Sequence, residues 1–117
     1  AVGTIDKHGA LYIKDMVNTA SAWEAWNERN AAEILRFARK TGGRAYAWVS
    51  PSYGIDPTLD PITDPALMLA QVRPAIRVGI NLLVWDFWYS NAWRDARLAS
   101  LQLLINAINQ ARSELWR

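Results

Sequence analysis

The sequence predicts an α/β fold of three βα units with parallel strands, arranged as a half-barrel or a small open sheet that can be part of a larger barrel. Three observations predict it. Short apolar runs alternate with longer stretches of helical periodicity, turn residues separate the two, and the order strand then helix occurs three times. At 117 residues, we expect residues 1–117 to form a single α/β domain.

The first unit is predicted in the N-terminal third of the chain. A short apolar segment at residues 10–14 ends at Asp15, as expected of a strand. Asn18 or Thr19 can then cap a helix that Gly42 and Gly43 stop. Its apolar positions include two tryptophans, Trp23 and Trp26, which we expect to pack against the sheet.

The second unit follows at residues 44–50, a short strand that ends at Pro51 because proline cannot donate to a sheet ladder. Residues 51–65 hold four of the five prolines and predict a long irregular loop. Asp64 and Pro65 then provide an N-cap and a first-turn proline for a helix that reaches Val78, with a kink expected at Pro74.

The third unit begins with a strand at residues 82–87, entered through Gly79. Asn91 caps a last helix that extends towards Trp116. We expect one broad apolar stripe to turn this helix towards the core, formed by Leu98, Leu101, Leu104, Ile105, Ile108 and Leu115.

Composition excludes several classes of function. The chain has no cysteine, so it has no disulfides and no thiolate sites, and its single histidine, His8, cannot build a histidine-rich metal centre. A net charge of +2 does not predict a nucleic-acid surface, and no glycine-rich phosphate-binding loop is present. We therefore expect no cofactor, no metal and no nucleic-acid partner.

The longest apolar tract, residues 78–89, contains Asn81 and Asp86 and is shorter than the roughly 20 residues that a membrane helix needs. The N-terminal residues lack a signal-peptide pattern, although a mature secreted chain would look the same. We expect a soluble protein without a membrane partner, in a compartment that the sequence leaves undetermined and that can be extracellular.

Aromatic side chains surround a carboxylate where the third strand ends. In parallel α/β folds ligands bind at the carboxyl ends of the strands, and aromatic faces beside carboxylates suit a sugar. We predict Asp86 and Asp15 as a catalytic pair, because glycoside hydrolysis divides acid and base or nucleophile roles between two carboxylates. The predicted substrate-binding walls are Trp85, Trp88, Tyr89, Tyr53 and Trp48.

Structural roles compete with these assignments. Asp86 can brace the start of the last helix, and Asp15 can be an ordinary strand-end turn residue. Trp85 and Asp86 are adjacent on a strand, so they should point to opposite faces. Trp48, in the middle of the second strand, is either a core residue or a wall of the site.

Part of the chain, about residues 43–110, resembles the C-terminal part of hyaluronidase-like (β/α)-barrel glycosidases. The residues that carry the resemblance are Tyr46, Trp48, Pro51 and Tyr53 in the first half and Gly79, Val84 and Trp85 in the second. It implies a carbohydrate groove lined by Trp85 and Tyr53. The chain has Ser50 where that family commonly has arginine, and Asp86 where it has glycine. The family's catalytic Asp-x-Glu motif has no counterpart here.

The leading hypothesis is therefore a carbohydrate-active protein, either glycoside hydrolase-like or sugar-binding, with carbohydrate as its partner. The alternative is a non-catalytic assembly or protein–protein interaction module. Seven tryptophans in 117 residues could form its surface, and a sheet of only three parallel strands leaves faces to cover. That alternative predicts a homo-oligomer or a partner within a larger chain.

Overall fold

The computed structural model describes residues 20–51, 61–84 and 91–116, with 91–97 as backbone only. Three helices and two strands follow one another in these ranges. In chain order they are α1 (Ala20–Thr41), β1 (Tyr46–Val49), α2 (Pro65–Arg77), β2 (Asn81–Val84) and α3 (Asn91–Glu114).

The predicted fold class is wrong. The described part of the chain is mostly helical, with two strands of four residues each, and does not form three βα units of a half-barrel. Apolar runs show where a strand can form, but they do not determine how many strands pair or how far a pair extends. The strand predicted at residues 10–14, and residues 85–87 of the third predicted strand, lie outside the described residues.

Helix α1 runs without a break from Ala20 to Thr41. Gly42 ends it in the left-handed region at φ 73°, which glycine adopts without steric cost. The next residue, Gly43, donates its N–H to the Ala38 carbonyl at 3.0 Å. This sharp stop turns the chain directly into β1.

Helix α2 begins as predicted. The Asp64 side chain accepts the Ala66 N–H at 2.9 Å, and Pro65 occupies the first turn, where a missing N–H costs nothing. The helix continues through Pro74. It ends at Arg77, and the φ of 81° at Gly79 lets the Ile80 N–H reach the Ala75 carbonyl at 2.9 Å as the chain enters β2.

The two strands are parallel, as predicted, and pair from Tyr46 with Asn81 to Val49 with Val84. Side chains alternate across the sheet, so Ala47 and Val49 face the helices and are buried. Tyr46 and Trp48 point to the opposite face and are exposed. All of the described helical packing is therefore on one side of this two-stranded layer.

The core lies between this sheet and α2 and α3. Its fully buried side chains include Val49, Ile62, Met68, Val72 and Leu104. The predicted stripe of α3 is wrong in part, because Leu98, Ile105 and Leu115 are exposed. Small residues occupy the buried line of that helix instead, at Ser100, Ala107 and Ala111 on either side of Leu104. They let the backbones of α2 and α3 approach closely.

The predicted packing of Trp23 and Trp26 is also different. Trp23 is buried against Ala70 of α2 and stacks on Trp26, with ring centroids 5.2 Å apart. Its indole Nε1 is buried without a hydrogen-bond partner among the described residues. These tryptophans join two helices rather than a helix and the sheet.

Arg73 connects all three helices. From α2, its Nε and Nη2 bind both oxygens of Glu114 in α3 at 2.9 and 3.0 Å, and its Nη1 binds Glu24 of α1 at 2.6 Å. Hydrogen bonds to Glu114 and then to Glu24 raise the pKa of Arg73 above its ordinary value. The guanidinium therefore stays charged and fixes the relative positions of the helices.

A backbone hydrogen bond joins the two described segments that flank residues 52–60. Ile62 donates its N–H to the Pro51 carbonyl at 2.7 Å, and both residues are fully buried. The two described segments therefore meet within the core.

Candidate functional site

Most of the predicted site lies outside the described residues. This holds for both predicted catalytic carboxylates, Asp15 and Asp86, and for the predicted walls Tyr53, Trp85, Trp88 and Tyr89. Their roles remain predictions. Trp48 is described, and it lies on the strand face turned away from the helices with 63% of its surface exposed. It is therefore not a core residue.

The backbone just beyond the carboxyl end of β1, where a ligand site was expected, is bound by a side chain of α2. The Gln71 side chain accepts the Ser50 N–H and donates to the Ser50 carbonyl, both at 2.9 Å. Ser50 and Pro51 are buried. The side-chain amide of Gln71 thus forms the two hydrogen bonds that a neighbouring strand would otherwise form with the Ser50 backbone.

An exposed aromatic surface is found on β1 instead. Tyr46 and Trp48 are two residues apart and therefore share one face, with 42% and 63% of their surfaces exposed. On the paired strand, Asn81 and Leu83 lie opposite them in register. We call these four residues the β1 aromatic face.

A cleft adjoins this face at the amino-terminal end of β1. It has a volume of about 620 Å³ and lies between β1 and the C-terminal half of α1. Its apolar floor includes Ile34 and Ala38, and Phe37 and Tyr46 form aromatic walls. Ligand clefts span roughly 300–1,000 Å³, so this one is large enough for a sugar unit.

Two charged side chains, Glu33 and Arg44, also line the cleft. Glu33 accepts a hydrogen bond from Arg36 at 2.6 Å, and this bond raises the pKa of Arg36 above its ordinary value. A carboxylate and a guanidinium that line the same cleft as aromatic side chains can accept from and donate to hydroxyl groups. Among the described residues Glu33 is the one carboxylate that lines the cleft, and this set of side chains suits sugar binding.

The sequence patterns did not identify Glu33, Phe37 and Arg44 as site residues. Two signals could have found them. Arg44, Tyr46 and Trp48 recur at every second position, which places them on one side of an extended segment. Phe37 lies between the charged residues Arg36 and Arg39 of α1, and its aromatic side chain is 68% exposed.

Within residues 20–51, 61–84 and 91–116, no group of three histidine, cysteine or acidic side chains is placed to hold a metal ion. None of the described helices combines the length and apolar character needed to cross a membrane.

Comparisons with known proteins gave no match to a protein-family model, to a curated protein or to a solved structure. The functional argument therefore depends on the geometry of the chain itself.

Proposed function

We propose that this chain binds carbohydrate, with Tyr46 and Trp48 of the β1 aromatic face as the platform for sugar rings. The observation that carries the proposal is the exposure of two large aromatic side chains, side by side on one face of a strand. Tyrosine and tryptophan provide flat apolar surfaces with a polar group at one end, which suits a ligand that is apolar on its ring faces and polar at its edges.

The spacing of the two aromatics fits consecutive rings. Alternate residues of a strand are about 6.6 Å apart, so neighbouring sugar units can lie on separate aromatic faces. Asn81 beside Tyr46 can bond hydroxyl groups through its amide, and Arg44 and Glu33 do the same in the adjoining cleft. Oligosaccharide longer than a disaccharide would span both the face and the cleft.

A second candidate is an assembly module that uses the same surface. Parallel sheets are normally covered on both faces, and the described helices pack against only one face of this sheet. A partner protein could cover the other face. The size of the surface favours carbohydrate. Two four-residue strands about 4.8 Å apart present on the order of 100 Å² of sheet, against about 800 Å² per partner in a standard protein interface.

Titration of isotope-labelled protein with cellotetraose, chitotetraose, maltotetraose and a hyaluronan tetrasaccharide, followed by NMR, tests the proposal. We expect at least one of them to shift the signals of Tyr46 and Trp48. Stacking on an aromatic side chain contributes on the order of 1–3 kcal/mol in nucleic-acid complexes, and the lower end corresponds to about fivefold in affinity. Trp48→Ala and Tyr46→Ala should each weaken binding by at least about that factor.

Trp116→Ala is the matched control, because Trp116 is 88% exposed and follows α3. It should bind like the parent. If none of the four tetrasaccharides perturbs the spectrum at millimolar concentration, the carbohydrate proposal is wrong. Concentration-dependent sedimentation that Trp48→Ala abolishes would support the assembly module instead. Hydrolysis of a bound tetrasaccharide that Asp86→Asn abolishes would support the predicted catalytic role of Asp86.

A further inference from the structure

A second groove lies on the other side of the sheet, along the outer edge of β2. It has a volume of about 430 Å³ and is bordered by Leu82 and Val84 of β2 and by Ile108, Arg112 and Leu115 at the C-terminal end of α3 and just beyond it. We call it the β2-edge groove. Val84 and Leu115 are about half exposed, so the apolar lining is open to solvent.

Within the described residues, the backbone of β2 is open along the edge that faces away from β1. Asn81 donates its N–H to the Ala45 carbonyl at 3.2 Å, which turns the backbone groups of Asn81 towards the β1 side. The groups of successive residues point to opposite sides of a strand, so those of Leu82 and Val84 point outward. In the part of the chain that the structure describes, the sheet has no strand beyond β2.

Among the described side chains that line this groove, Arg112 carries the only charge. No described carboxylate lies within ion-pair distance of it. Glu114, two residues further along α3, is already bound by Arg73 from the neighbouring helix. The groove therefore combines apolar side chains, an open strand edge and a guanidinium that can donate hydrogen bonds to a carboxylate.

We propose that the β2-edge groove binds an extended, acidic peptide segment of another protein. The segment adds to β2 as a further strand, and its backbone pairs with the outward groups of Leu82 and Val84. Alternate apolar side chains cover Ile108 and Leu115, and a carboxylate binds Arg112. This mode of recognition takes affinity from main-chain hydrogen bonds and specificity from alternate side chains.

Other occupants satisfy fewer of these features. An aliphatic carboxylic acid would meet the apolar lining and Arg112, but it would leave the strand edge without hydrogen bonds. A second copy of the chain paired through β2 would offer the strand Asn81–Val84, which has no carboxylate for Arg112. The proposed peptide site is separate from the proposed sugar site, because the peptide binds the outer edge of β2 and the sugar binds the β1 aromatic face.

The test is an NMR titration with the peptide acetyl-Val-Thr-Asp-Thr-Val-Thr-amide, whose valines and aspartate share one face of a strand, and with its counterpart that has Asn in place of Asp. We expect the acidic peptide to slow amide hydrogen exchange at Leu82 and Val84. The loss of one partly exposed ion pair should weaken binding about fivefold, so the Asn peptide and the Arg112→Gln variant should each show that change. Arg39→Gln, which removes an exposed cation of α1, should leave the affinity unchanged.

Val84→Pro separates strand addition from simple charge attraction. Proline removes an outward N–H and is tolerated on an edge strand, so the fold should persist while peptide binding is lost. The proposal is overturned if neither peptide binds at millimolar concentration, or if both bind equally to the parent and to Arg112→Gln. Decanoate that binds with the same Arg112 dependence, while the peptide gives no exchange protection, would assign the groove to amphiphiles. Dimerisation that Val84→Pro abolishes would assign it to a second copy.

Discussion

Replacement of Arg73 by methionine should lower the stability of the chain by about 2–3 kcal/mol. The substitution retains most of the apolar stem but removes three hydrogen bonds to carboxylates. Exposed ion pairs contribute up to about 1 kcal/mol, and breaking a fully buried pair costs about 3–5 kcal/mol. Arg73 is 25% exposed and its partners Glu24 and Glu114 are 23% and 27% exposed, so the expected cost lies between these limits.

Thermal unfolding followed by circular dichroism measures this effect. For a chain of this length, 1 kcal/mol corresponds to about 4 °C in Tm, so the expected decrease is about 8–12 °C. The pKa of Arg73 is raised in the folded state, so its contribution is complete below the ordinary guanidinium pKa and is lost only as the pH rises through the folded value. The decrease should therefore not change between pH 6 and pH 9 through titration of Arg73 itself.

Two further variants identify the cause. Arg36→Met breaks an exposed pair on α1, with side chains 76% and 67% exposed, and should leave Tm unchanged. Adding Glu24→Gln to Arg73→Met removes the carboxylate charge that Arg73 bound on α1 and should recover part of the loss. If Arg73→Met unfolds at the temperature of the parent, or if Arg36→Met is equally destabilised, Arg73 does not join the helices energetically.

Two other predictions concern the backbone around the strands. Gln71→Leu removes the side-chain amide that binds the buried N–H and carbonyl of Ser50, so it should cost about 2–4 kcal/mol in urea unfolding. Gln102→Leu on the exposed side of α3 should cost little, and equal midpoints for the two variants would contradict this. Gly79→Ala should destabilise the fold by about 1–2 kcal/mol, because alanine is strained at the left-handed φ of this residue. The added Cβ would meet no atom within 4 Å, so no steric clash contributes to this cost. An unchanged Tm would contradict the prediction. Gly43→Ala, at a residue without positive φ, is the matched control.

Local signals in the sequence predicted the secondary structure well. The Asp64-Pro65 pair marked the start of α2, the glycine pair marked the end of α1, and the apolar runs located both strands and their parallel direction. These signals act over a few residues, through capping, left-handed turns and side-chain alternation. They do not depend on which elements meet in space.

Tertiary packing was predicted less well, because periodicity gives the width of an apolar stripe better than its direction. Leu98 and Ile105 belong to the sequence pattern of α3, yet the helix buries Ala107 and Ala111, whose small side chains permit close contact with α2. Trp48 is a second example. A tryptophan in the middle of a strand suggests a core position, but the side chain of Trp48 is exposed. The number of strands is equally a property of contacts that sequence spacing does not contain.

The contact between Pro51 and Ile62 makes this position suitable for inserting foreign sequence. The Ile62 nitrogen and the Pro51 carbonyl oxygen lie 2.7 Å apart in a backbone hydrogen bond between buried residues, which would hold the two ends of an insertion together. Doubling the length of a flexible connection costs only about 0.6 kcal/mol in closure entropy. A fluorescent reporter or an affinity tag could therefore be carried there.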